Sequence, residues 1–203
     1  MSTTIEVFAE ITCPFAYVGL EHVVAHVAEI DASVDVIVRA WPLEWVNGTG
    51  LDVAGVQTKA AALCDQLGID RFAGLRPDRW PRTTIPALAL AAASYDVDPT
   101  TGLAVSTALR TSLFELGADI SDRDTLADIA GAHDVEFDPD DDGAVRSEYE
   151  LGRARGVKGS PHYFVADADF FCPALDLGRD ADDHLIARFD PDGLARFLAS
   201  IPH

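Results

Sequence analysis

The chain has 203 residues and is 48% hydrophobic, enough for a sizeable core. Acidic side chains number 34 against 15 basic ones, a formal charge of -19. A field of that sign repels phosphate backbones and anionic membranes, so neither nucleic acid nor a membrane is expected as a partner, and the charge reads as a solvated surface tuned for solubility.

No apolar run reaches the roughly 18 residues of a membrane span. The N-terminus, MSTTIEVFAE, has no basic n-region and no apolar h-region, so the expected location is the cytoplasm. Cys13, Cys64 and Cys172 are odd in number and far apart, which argues against a disulfide framework and against a structural metal.

IEVFAEI, Ile5 to Ile11, alternates and reads as a strand. CPFAYVGLEHVVAHVAEI follows with apolar residues at helical spacing, and Pro14 sits near the first turn, where a missing N–H costs little. VDVIVRAWPL, Val34 to Leu43, is nearly continuous in apolar character and reads as a buried second strand. This β-α-β order favours a parallel pair with a right-handed crossover.

After the NGTG loop the pattern is helical to about Gly156. A helix is predicted over Gly102 to Gly117 with a glycine C-cap, and another opens at Ser121 or Asp122. Strands return at Ser160 to Ala166 and at His184 to Asp190, joined by the connection DADFFCPALDLGRDADD. PDGLARFLASI closes the chain as a helix. The domain division is therefore 1–46 with 157–203, and a helical insertion over 47–156.

Two segments carry chemistry. In ITCPFAY, Cys13 stands at a strand-to-helix junction, where partial positive charge and free N–H groups favour the thiolate. Its other reading is a small buried hydrophobe. In GVKGSPHYFV, Ser160-Pro161 enters a strand, where proline marks an edge or a special turn. A cis peptide there would let the backbone of Ser160 pair with an extended peptide or a thiol; an ordinary trans proline is the alternative.

These two segments, with the helical middle between them, resemble the DsbA-like branch of the thioredoxin superfamily. They are most similar to its cytoplasmic FrnE-type and 2-hydroxychromene-2-carboxylate isomerase-like members, a broad group that includes kappa-class glutathione transferases. The resemblance implies an α/β thioredoxin-like fold with a helical insertion. It makes Cys13 the reactive residue and Pro161 the cis proline facing it. Ser160 would supply backbone hydrogen bonds, and Pro14 and Phe15 would shape the entrance.

The chain departs from the dithiol members at Ala16, where they carry the resolving cysteine. Three routes remain: a monothiol disulfide oxidoreductase resolved by glutathione or mycothiol, a thiol-dependent isomerase or transferase acting on an aromatic compound, or a binding module with a vestigial site. No tightly bound cofactor is expected, only such a thiol as co-substrate. The partner is a protein or small-molecule disulfide, or an aromatic small molecule, and relatives suggest a homodimer.

The remaining candidates are weighed singly. Cys172, in a second Cys-Pro, is a distant partner for Cys13 only if the two Cα atoms come within about 7 Å, whereas Cys64 reads as core. His162 is a proton carrier or, from strand alternation, structural. His22 and His26 have metal-compatible spacing without a third ligand. Trp41 reads as core, and Trp45 and Trp80 as walls of a cleft. Gly178-Arg179-Asp180 is a solvated loop or a contact for the thiol's charged end.

Overall fold

A computed structural model describes residues 3–30, 34–50 and 52–202. The first two residues of the N-terminus read above and the ends of the proposed domain ranges lie outside it. β1 (Thr4–Ala9) leads into α1 (Pro14–Ile30), and β2 (Asp35–Ala40) pairs parallel to β1 from Thr4–Asp35 to Ala9–Ala40. Seven further α-helices follow among the described residues: α2 (Leu43–Asn47), α3 (Val53–Leu67), α4 (Ile85–Val97), α5 (Pro99–Phe114), α6 (Arg123–Ala132), α7 (Gly143–Ala154) and, at the end, α8 (Pro191–Leu198). The strands after α7 are β3 (His162–Val165), β4 (Ala168–Phe171), β5 (Leu175–Arg179) and β6 (Leu185–Phe189).

The main sheet has the order β2-β1-β3-β4, with β3 antiparallel to β1 and to β4. This corrects the expected strand pattern. The connection read as one long loop holds β4 and β5, and β6 forms a separate hairpin with β5 rather than joining the main sheet. A strand of four residues, half exposed as in Ala168–Phe171, carries too short a pattern to stand out in sequence. Helix ends also move. α5 starts at Pro99, capped by Asp98, and stops at Phe114, three residues before Gly117 takes a left-handed φ of 67°. Asp122 caps α6 through its side chain.

Strand alternation sorts the core onto two faces. Ile5, Val7 and Ala9 pack with α1 and α8 on one face, while Phe8 and Phe164 meet Trp41 and Tyr149 of α7 on the other. Gly152 makes that second packing close: a Cβ there would lie 2.7 Å from the Trp41 ring and 2.9 Å from Phe8. Trp41 is thus core, as expected.

β2 is an edge strand with alternating burial, not the doubly buried strand expected. Its edge is closed by side chains from the helical block. Val38 N–H donates to Tyr95 Oη at 2.8 Å, Tyr95 O–H donates to Val36 O at 3.3 Å, and Ala40 N–H donates to Glu148 at 2.7 Å. These bonds satisfy groups that an open edge would offer to another strand.

Two stability predictions follow from this packing. Tyr95→Phe leaves the Val38 and Val36 backbone groups unpaired and should cost about 1–3 kcal/mol. Gly152→Ala must push the Trp41 ring aside and should cost about 1–3 kcal/mol. Urea unfolding checks both: the midpoint should fall at constant slope, and an unchanged midpoint in either variant would contradict the packing described.

Candidate active site

Cys13 is the residue before α1, and its carbonyl accepts from Tyr17 N–H at 3.1 Å, which makes it the helix N-cap. Pro14 opens the helix without an N–H to satisfy. Cys13 is 6% exposed. Its S–H donates to the Ser160 carbonyl at 3.2 Å, and the Ser160–Pro161 peptide is cis. The Ser160 hydroxyl accepts from Glu10 N–H at 2.9 Å, which leaves its own proton available to the sulfur.

The expectation of a lowered thiol pKa is overturned. Burial pushes the Cys13 thiol above the usual cysteine range, and this outweighs the Ala16 and Phe15 amides, the Ser160 side chain and the charge of Lys59, all of which favour the thiolate. The magnitudes explain the outcome. A helix N-terminus is worth about 0.3–1 kcal/mol near the surface, whereas taking an ion out of water costs several kcal/mol.

Cys13 lines a cavity of about 110 Å³ together with Thr12, Pro14, Leu43, Glu44, Asp52, Val56 and Lys59. Lys59 is its one basic side chain. The N-terminal part of the helical block, α2 and α3, therefore closes over Cys13.

Glu10 holds this corner together. Its carboxylate is fully buried and accepts from Thr12 N–H, Leu43 N–H and the Thr84 hydroxyl at 3.2, 3.0 and 3.1 Å. Burial pushes its pKa up, and these same hydrogen bonds oppose the rise. Glu44 in turn accepts from Thr83 Oγ1 and Thr84 N–H at 2.8 and 2.9 Å. Sequence reading missed Glu10, Glu44 and Lys59. The only signal for Glu10 was an acid three residues before Cys13, read as part of a strand.

The other candidates fall in several places. Ala16 is fully buried and holds no thiol. Phe15 is half-buried between the two larger cores and lies outside the Cys13 cavity. All three cysteines are free. Cys172 has a left-handed φ of 50° and donates its N–H to Pro161 O at 3.1 Å. Burial, then the charge of Cys13, pushes its thiol up to about 12, so the two sulfurs share a neighbourhood without a bond. Cys64 packs against the helical core.

His162 is structural: Lys158 N–H donates to Nδ1 at 3.2 Å, so Nε2 carries the proton given to Asp169 at 2.8 Å. Trp45 and Trp80 do not face Cys13. Trp45 packs on Tyr149 at 5.5 Å beneath the Arg146 guanidinium, and Trp80 packs against the helical core with its indole N–H buried and unpaired. Gly178 and Arg179 end β5, and Asp180 accepts from His184 N–H at 2.9 Å in the exposed hairpin turn. His22 and His26 stack at 5.9 Å. Among the described residues no third metal ligand joins them. No helix among those residues is long and apolar enough to cross a membrane.

Solved structures share this fold at low sequence identity. A candidate protein disulfide isomerase from Nitrosomonas europaea is 14% identical, with a TM-score of 0.69 over 98% of this chain and 97% of its own. The cytosolic disulfide reductase DsbM from Pseudomonas aeruginosa is 17% identical, with a TM-score of 0.59 over 97% of each chain. A 2-hydroxychromene-2-carboxylate isomerase is 12% identical, with a TM-score of 0.60 over 83% of this chain and 88% of its own. At these identities the likeness is one of fold. No protein of curated function matches the sequence. Residues 4–181 match the model of the DSBA-like thioredoxin domain, and the chain belongs to that family.

Proposed function

We propose that this protein is a thiol-disulfide oxidoreductase that works with one cysteine, Cys13, and is resolved by a small external thiol such as glutathione or mycothiol. The observation that carries the reading is the placement of the Cys13 sulfur. It lies 3.2 Å from the Ser160 carbonyl and on the wall of a small cavity with Lys59, while the position that would hold a second thiol is Ala16. DsbM, a cytosolic disulfide reductase of the same fold, is also known with GSH, which favours a small-thiol partner.

In the proposed cycle the Cys13 thiol gives up its proton, and the thiolate attacks one sulfur of a mixed disulfide between a substrate and the small thiol. A bond forms between Cys13 and the small thiol's sulfur. The substrate leaves as a thiolate and takes up a proton. A second small thiol, as thiolate, then attacks the sulfur bound to Cys13, which releases the small thiol's own disulfide and restores Cys13. Over the cycle one free small thiol is consumed, and the mixed disulfide is exchanged for the free substrate thiol and the small thiol's own disulfide.

This chain's groups serve the first step. The Phe15 and Ala16 amides and the Ser160 hydroxyl stabilise the thiolate as it forms. Lys59 adds a positive charge at the cavity wall, complementary to a carboxylate of the small thiol.

A second reading rests on the protonated state of Cys13. A thiol held above its ordinary pKa and already donating to Ser160 O can donate instead to the sulfur of a bound small thiol, as an isomerase or transferase would use it. The two readings separate by reaction: the first oxidises the small thiol, and the second leaves it unchanged.

The direction of the Cys13 shift gives a pH dependence. A raised thiol pKa means that the protonated form dominates at neutral pH. In a Cys64→Ser, Cys172→Ser background, alkylation of Cys13 by iodoacetamide should be slow at pH 7 and rise about tenfold per pH unit into the alkaline range. Lys59→Met should slow it by about 2- to 5-fold at any pH below that plateau. A fast rate, flat above pH 6, would contradict the burial argument.

Activity tests the function itself. Reduction of a glutathione mixed disulfide by glutathione should be accelerated by the wild type and lost by more than about 1000-fold in Cys13→Ser. Equal activity of the two proteins, or none in the wild type with glutathione and mycothiol alike, would overturn the oxidoreductase reading.

A further inference from the structure

Arg110 of α5 is 1% exposed, a cation sealed inside the protein. Its Nη1 donates to the carbonyl and the hydroxyl of Ser106, one turn earlier in the helix, at 2.8 and 2.7 Å. Its Nε and Nη2 are buried and have no hydrogen-bond partner among the described residues. A guanidinium keeps its proton at any ordinary pH, so the charge stays where Ser106 fixes it. Burying an unpaired charge is costly, and the groups around this one decide what it does.

Arg110 shares a cavity wall with Tyr17, Val18 and Leu20, in the first two turns of the helix that Cys13 caps. A Cβ at Gly19, in the same stretch, would lie 3.7 Å from the Tyr163 hydroxyl and 3.8 Å from the Pro161 ring. Tyr163 is fully buried in the core that holds Cys13, Ala16 and Leu20, and its hydroxyl also lacks a partner. Tyr95 packs against that core. The start of α1 is thus flanked by Arg110, by Tyr163 and by the Ser160–Pro161 turn, with water excluded from all three side chains that carry the polar groups: Arg110, Tyr163 and Cys13.

Burial works against the charge of Arg110, and the ionisable groups that work for it are Tyr95, Glu10, Cys13 and Tyr163. Burial keeps both phenols protonated well above neutral pH. The Glu10 oxygens are already engaged by Thr12, Leu43 and Thr84. Nearby Glu21 and Glu115 serve Arg71 instead, at 3.1 and 3.6 Å. Cys13 is the group of the four whose charge changes when the thiol reacts.

We propose that Arg110 is the buried counter-charge to the thiolate of Cys13, acting through the core from behind the first turns of α1. The role rests on Cys13 being the reacting thiol proposed above. Arg110 touches no substrate, so it is a positioning residue rather than a catalytic one. Charges attract about fourfold more strongly at an effective protein dielectric of ~20 than in water at ~80, so direct contact is not required. Exposed Lys59 acts on the same sulfur from the solvent side, where salt screens it, whereas Arg110 acts from inside, where salt does not reach. As the proton leaves Cys13, this charge offsets part of what burial costs the thiolate.

Two measurements in the Cys64→Ser, Cys172→Ser background test this. In isotope-labelled protein, the Arg110 Nε–H signal in the NMR spectrum should move with pH at the midpoint of Cys13 ionisation, and the movement should vanish in Cys13→Ser. Arg110→Met should slow iodoacetamide alkylation of Cys13 by about 3- to 10-fold below the alkaline plateau, and Arg110→Lys, which keeps the charge, should stay within about 2-fold of the parent. A merely structural arginine would lower the urea midpoint in these variants without moving the thiol's pH profile. An Arg110 signal that stays flat while Cys13 titrates, no slowing in a folded Arg110→Met protein, or equal slowing in both variants would each overturn the proposal. The NMR titration decides the matter even where Arg110→Met does not fold. Both readouts follow the thiol and not turnover, so a protein inactive with every mixed disulfide would sink the oxidoreductase reading and leave this one standing.

Discussion

The carboxylate of Glu10 is fully buried, and it accepts from its own turn before Cys13 and from two segments distant in sequence, the start of α2 and the threonine that precedes α4. Its own amide donates to the Ser160 hydroxyl, the fourth segment of the site. A buried acid survives only where hydrogen bonds replace the water it has lost. Removing any partner would leave the rest exposed to that cost, so the four segments are tied to one arrangement. The sheet, the helical block and the Ser160-Pro161 turn meet Cys13 because they meet Glu10.

The same enclosure sets the character of the thiol. The helix N-terminus, two amides, a hydroxyl and a lysine all favour the thiolate, yet the sulfur is shut away from water and stays protonated in the neutral range. A site of this kind holds the means of stabilising a thiolate in reserve. In the proposed cycle they take effect when a disulfide reaches the sulfur and the proton is given up. Cys172 lies near but is itself pushed to about 12, which makes it a poor attacking thiol beside a small molecule in solution.

The helical block serves the thiol site and the sheet from different elements: α2 and α3 close the small cavity over Cys13. Side chains of α4 and α7 meanwhile bond the edge of β2, so the block is bound to the sheet by directional contacts as well as by packing.

What the sequence determined by itself was local. Period-two alternation in Thr4–Ala9, helical spacing after Pro14 and the capping aspartate at 122 follow from the conformational preferences of neighbouring residues. The Cys-Pro and Ser-Pro segments could be picked out for the same reason. The tertiary structure decided everything that depends on burial. β4 and β5 are too short to declare themselves, and it is the sheet edge that receives β4 and the β6 strand that receives β5. Trp45 and Trp80 turn to the helical core rather than to the thiol. Glu10 gained its meaning from neighbours 33 to 150 positions away, and Lys59 from the cavity it lines. Even the sign of the Cys13 shift was settled this way, because a helix terminus is a property of the local chain, whereas exclusion of water is a property of the whole fold.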